Sequence, residues 1–298
     1  MAIGAGRARG TLPSGVAAVA FVVLQAPAQA IDLAPLWDFN DPAGSEQRFR
    51  DALPTATRDD ALILQTQIAR TYGLRGDFPK AREILREVEP QLAFAGAEAR
   101  ARHALELGRS HASAAHPAQS VDADAKERAR AAFLAAHDLA LNGKLDALAI
   151  DALHMMAFVD TAPEQQLRWD QRALDIATES SQPAAKRWEA TLRNNIGHAL
   201  YRQRRYDPAL AEFRRAVALR ERGGDAEALR SARWTEAWTL RALDRIDDAI
   251  AIQTRLEAEY AAAGAPSRDV FEELELLYRA KGDSEKAARY AERKTTAR

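Results

Sequence analysis

The chain has 298 residues, 47% of them apolar and 29% charged, an ordinary balance for a folded globular protein. Its 42 basic and 43 acidic residues are interleaved, so there is no basic stripe of the kind that neutralises nucleic-acid phosphates. Cysteine is absent, which excludes disulfides, thiolate metal sites, thiol catalysis and lipid attachment at cysteine.

Residues 1–30 read as an export address of bacterial type. Arg7 and Arg9 form a basic start, Val16 to Leu24 is an uninterrupted apolar run, and Ala28-Gln29-Ala30 supplies a small-x-small cleavage pattern. The run is about half the ~20 residues that a helix needs to span a bilayer, so the expectation is a cleaved signal peptide rather than a retained anchor. A mature chain from Ile31 would carry a charge of −3 and reside in the periplasm. No later stretch approaches membrane-spanning length, and no membrane span is expected in the mature chain. Residues 31–56 are expected to form an N-terminal arm and a short helix. With Leu33, Leu36, Trp37 and Phe39, the arm is too apolar to hang in water and should cover the first helices.

From residue 57 the sequence predicts helices only. Ala, Leu, Arg and Glu favour helix, and the β-branched and aromatic residues that favour strands are sparse. Turn signals recur every 15 to 20 residues. Pro42, Pro79, Pro163, Pro183, Pro208 and Pro266 suit first turns, where no amide hydrogen bond is lost. Asp77, Asp207 and Asp283 are candidate N-caps, and Gly76, Gly143, Gly223 and Gly282 are candidate helix ends. About twelve helices follow the arm.

These helices repeat in pairs. The clearest unit spans Arg193 to Leu219: Ile196-Gly197, then Leu200, a short turn, then Tyr206, Ala209, Phe213 and Ala216. The same order occurs in Ile68-Ala69, Tyr72, Gly76, Phe78, Ala81 and Leu85, and in Leu107-Gly108 followed, after an insertion, by Ala129, Phe133 and Ala136. Further copies run through Ala237, Leu240, Ile246 and Ala249, and through Leu274, Tyr278, Gly282 and Ala287. Ala209, Ala249 and Ala287 are separated by 40 and 38 residues, and Ala129 lies 80 before Ala209, which leaves room for a degenerate unit over 145–178. The excess between Ala81 and Ala129 falls in Ala112 to Asp124, a Ser/Ala/Pro-rich loop.

This bulky-small pattern resembles the tetratricopeptide repeat, in the longer form of kinesin light chains. The usual opening Trp is mostly missing, and Glu236 occupies an expected apolar position. The resemblance implies an all-α, right-handed α-solenoid of about six helix pairs over residues 57–298. It also implies a concave groove, lined by the first helix of each pair, that meets a protein or peptide partner. Under that reading Asn194, Asn195, His198, Tyr201 and Arg202 share one face of a first helix. Asn195 precedes the Ile-Gly pair, where its amide could donate to and accept from a peptide backbone. Trp234, Trp238 and Arg241 follow on the next first helix, residue types that dominate interface energetics. Arg70 and Arg109 could extend the groove with positive charge. The bland alternative is that the tryptophans fill the packing between helices and Asn195 ties neighbouring helices together.

No catalytic constellation emerges from the sequence: it contains no phosphate-cradling glycine loop, no HExxH and no Gly-x-Ser-x-Gly. His103, His111 and His116 are read as surface or packing residues, Met155-Met156 as core, and no cofactor or metal is expected. The pairs Asp59-Asp60, Asp247-Asp248 and Glu272-Glu273 are read as first-turn or solvent-facing carboxylates. The function expected is a non-enzymatic scaffold or adaptor of the cell envelope. The alternatives are an envelope enzyme or glycan-binding subunit on a helical frame, or self-association through the arm or through Phe271 to Arg279.

Overall fold

A computed structural model describes residues 31–117 and 120–297, so the expected signal peptide lies outside the described residues. Among the described residues all regular structure is helical. After a 3₁₀ turn at Ala34–Leu36 come α1 (Pro42–Ala52), α2 (Arg58–Leu74), α3 (Phe78–Val88), α4 (Ala97–Arg109) and α5 (Ala123–Asn142). They are followed by α6 (Asp146–Met155), α7 (Pro163–Glu179), the single turn α8 (Pro183–Lys186), α9 (Glu189–Arg202) and α10 (Tyr206–Gly223). The last four are α11 (Ala226–Ala242), α12 (Ile246–Ala262), α13 (Arg268–Lys281) and α14 (Ser284–Thr296). No described helix is long and apolar enough to cross a membrane.

The helices pack in chain order as an α-solenoid of six pairs: α2/α3, α4/α5, α6/α7, α9/α10, α11/α12 and α13/α14. The alanines behind the 40-residue spacing explain why it recurs. Ala81, Ala209, Ala249 and Ala287 are each the fourth residue of a second helix, Ala129 is the seventh of α5, and all five are at most 4% exposed. At these points only a methyl group fits between crossing helices. Glycine does the same on the first helices. A Cβ on Gly197 would stand 2.6 Å from the Phe213 ring, and one on Gly108 would stand 2.4 Å from the Phe133 ring. The bulky-small order in the sequence is therefore the imprint of two close helix crossings, each filled from the second helix by a fully buried Phe.

The turns depart from the expected glycines in two places. Gly76 and Gly282 adopt left-handed backbone as expected, but the left-handed residue after α5 is Lys144 rather than Gly143, and after α10 it is Gly224 rather than Gly223. Arg204 and Asp244 take the same conformation in the turns after α9 and α11. Asp77 and Asp283 cap α3 and α14, accepting from the amides of Lys80 and Lys286. Asp207, by contrast, lies inside the first turn of α10, because the left-handed Arg204 lets the helix start at Tyr206. Pro183 opens only the single turn α8, and Pro266 precedes the Ser267 cap of α13 rather than entering the helix. Glu236 is accommodated by a 2.8 Å ion pair with Arg214 of α10.

The arm docks on the first helices. Leu33 is buried, and Trp37 packs edge-on against Phe49 of α1 and donates its indole N–H to Gln67 of α2 at 3.1 Å. Phe39 stacks on Trp37 and remains 58% exposed.

Candidate functional site

Each first helix presents polar and aromatic side chains to the first helix of the next pair, and together they form one continuous row. An Arg70 nitrogen on α2 lies 3.9 Å from the Glu106 carboxylate on α4. Arg109, one turn further along α4, donates to Glu106 at 2.5 Å and to Asp151 on α6 at 2.6 Å. On α6, one turn on, the His154 Nδ1 is 3.2 Å from the Asn195 amide nitrogen on α9. Tyr201, two turns along α9, stacks on Trp238 of α11 with ring centroids 3.5 Å apart. Arg241 of α11 reaches Glu273 of α13 through two hydrogen bonds of 2.6 and 3.1 Å. The three-residue steps along α4, α6 and α11 keep each pair of side chains on one side of its helix, and the six-residue step from Asn195 to Tyr201 turns by about a third of the way round α9.

Of the expected binding residues, Asn195, Trp238 and Arg241 make contacts of this row, and the others lie on the same two helices, α9 and α11. Asn195 is committed within the protein: its amide faces His154 and also lies 3.4 Å from the buried Asp170 carboxylate. Trp238 stacks on Tyr201 and lies nearly parallel to Trp234 at 6.0 Å, the His198 ring is tilted against it at 5.9 Å, and His198 also packs edge-on against Phe213. Arg241 is held by Glu273. These three residues therefore join neighbouring pairs, as the packing alternative described for Asn195 and the tryptophans but not for Arg241. Asn194, His198 and Trp234 are partly exposed, and Arg202 is exposed and hydrogen-bonded to Gln166 of α7. The Trp234 indole leans toward the Asp269 carbonyl at 3.4 Å.

Arg109 does not extend the groove with free positive charge, because two carboxylates share it. Burial pushes the Asp151 carboxyl up, but Arg109 and Arg70 outweigh this and hold it below the usual range. Burial also dominates at Asp170, whose carboxyl is pushed up to about 7, and it lowers His154. Glu273 is not a solvent-facing carboxylate: it is 2% exposed and neutralised by Arg241. Glu106, Asp151, His154, Asp170 and Glu273 could not be singled out by sequence. Isolated acids and histidines in helices gave no hint that their partners sit a whole pair away.

The histidines near the inserted loop have packing roles. His103 Nε2 is 3.0 Å from the Leu85 carbonyl, and the His116 ring stacks on Phe78 at 3.7 Å. Both residues of the Met155-Met156 pair are buried.

Comparison with known proteins places this geometry. A family model described as "Tetratricopeptide repeat" matches residues 190–223, the span of α9 and α10. No curated protein sequence matches the chain. Among solved structures, a Signal Transduction ATPase with Numerous Domains from Pyrococcus horikoshii, with a tetratricopeptide repeat sensor, superposes with a TM-score of 0.66 at 10% identity. That alignment covers 86% of this chain but only 39% of the other, so this chain spans about two fifths of that protein. The apo form of RapI superposes with a TM-score of 0.51 at 12% identity, over 86% of this chain and 93% of that one. The repeat at 190–223 is a tetratricopeptide repeat, and the fold of the chain is a tetratricopeptide-like α-solenoid.

Proposed function

We propose that this protein is a non-enzymatic interaction scaffold that receives an extended or helical segment of a partner protein along the first-helix row at α9 and α11. The observation that carries this reading is the aromatic surface built across those two helices. Tyr201, Trp238 and Trp234 stack in succession, and His198 borders them. Stacked, rigid aromatics bring large contact area at small entropic cost, and a neighbouring arginine adds a directional charged donor. In this reading Asn195, Trp238 and Arg241 hold the platform, while Asn194, His198, Arg202 and Trp234 offer their accessible edges to the partner.

Peptides selected from a displayed random library on the folded protein test the reading. Combining Arg202→Glu with Trp234→Ala should weaken the selected peptides at least about tenfold, on the order of 1.4 kcal/mol. Arg215→Glu and Arg255→Glu, on the exposed sides of α10 and α12, should leave affinity unchanged. Equal losses from both pairs, or no selectable peptide, would refute the assignment.

We also propose that the protein acts in the periplasm, on the strength of the signal-peptide pattern in residues 1–30. A periplasmic fraction containing chain that begins at Ile31 is the expected result, and unprocessed chain in the cytoplasm would contradict it.

A further inference from the structure

A cavity of about 300 Å³ opens between α2, α4 and α6, at the opposite end of the row from the aromatic surface. Its apolar wall includes Leu74, Met155, Phe158 and Trp188, and its charged wall is Arg70, Glu106, Arg109 and Asp151. We propose that this cavity binds a small organic carboxylate with an apolar body, and that Arg70 receives the carboxylate.

The argument starts from the pairing within the charged wall. Arg109 makes close hydrogen-bonded ion pairs with both Glu106 and Asp151, so the two carboxylates in the cavity are served by one guanidinium. Arg70 is left over. Its nearest approach to a carboxylate oxygen is 3.9 Å, beyond hydrogen-bond reach, and its Nε is buried without an acceptor. A guanidinium has five N–H donors in a flat fork that matches a carboxylate. Here the fork is fixed in place, 5.3 Å from the ring centroids of both Trp37 and Phe39. Burial and the neighbouring Arg109 make the charge at Arg70 unfavourable, a cost that an incoming anion would relieve.

Shape sets the rest of the ligand. An apolar cavity of roughly 150 Å³ holds benzene, so twice that volume takes a bicyclic ring or an eight-carbon chain beside the charged group. Glu106 and Asp151 repel a second anionic group, which limits the ligand to one.

Calorimetric titration of the full chain with phenylacetate and octanoate, against phenylacetamide and octanamide, tests the proposal. The carboxylates should bind and raise the melting temperature, and the amides should bind at least about tenfold more weakly. Arg70→Gln should lose the carboxylate preference. Ala114→Trp, at an exposed position on the cavity wall, should block binding without touching the charged cluster, and it decides the matter if Arg70→Gln misfolds. No binding of either carboxylate at about 10 mM would overturn the proposal, a concentration well above the micromolar-to-millimolar range of real sites. So would amides that bind equally well, or parent-like binding by both variants. These readouts are independent of peptide capture at α9 and α11, so either reading can fail alone.

Discussion

Replacing Gly197 or Gly108 by Ala should destabilise the protein, although Ala is the better helix former. The expected gain from propensity is about 1 kcal/mol in a helix interior. Against it stands the added Cβ, placed 2.6 to 2.8 Å from three ring atoms of Phe213, or 2.4 to 3.0 Å from three of Phe133. Normal contact needs about 3.5 Å or more, so ring or helix must retreat by close to 1 Å. Both rings are 0% exposed. Overpacking of this kind costs about 1–3 kcal/mol, so each variant should lose about 1–2 kcal/mol net. Gly73→Ala is the control. It lies near the end of α2 with nothing within 4 Å of its added Cβ, and it should be neutral or gain up to about 1 kcal/mol. Urea unfolding followed by circular dichroism at 222 nm gives the ordering, with an unchanged slope showing that the unfolded states are comparable. Phe213→Leu should make Gly197→Ala less costly in a double-mutant cycle. If Gly197→Ala is as stable as Gly73→Ala, the close crossing of α9 and α10 is wrong.

Arg241→Ala strands the buried Glu273 carboxylate and should cost about 3 kcal/mol, whereas replacing both by Leu or Met should cost far less; thermal melts separate the two cases. Asp170 has its carboxyl raised from 3.8 to about 7, so the folded state binds its proton more tightly than the unfolded chain does. Its contribution to stability is therefore fully present below pH ~4 and declines as pH rises to about 7, by at most about 4 kcal/mol. Asp170→Asn should flatten that part of the stability–pH profile and gain most at pH 8; an unchanged profile would show that the carboxylate is solvated. Asp244→Gly relieves a left-handed non-glycine turn at φ 58° and should raise stability by about 0.5–1 kcal/mol in urea unfolding.

The sequence carried the architecture because its strongest signals are steric. Small residues recur where helices cross, and a buried Phe fills the gap at α4/α5 and α9/α10, so from Ala129 onward the register holds at 38 to 40 residues per unit even where the rest of the repeat has drifted. The insertion between α4 and α5 was legible from its composition. The exact left-handed residue in each turn was not, because Lys144, Arg204 and Asp244 take a conformation that their identity does not advertise. The site was half legible. Helical spacing put Asn195, Trp238 and Arg241 on the right face, but their partners His154, Tyr201 and Glu273 are 41, 37 and 32 residues away. Only the stacking of pairs brings such residues together, and it turned apparent binding side chains into ties between repeats.

The proposed partner surface is the first-helix row, and site-specific photocrosslinking in native cells tests it most directly. A photoreactive side chain at Asn194 or Arg202 on α9 should give one discrete adduct, the same from both positions. Placed at Arg215 on α10 or Arg255 on α12, both well exposed, it should give none. Adducts from the second helices alone, or from all four positions alike, would contradict the account.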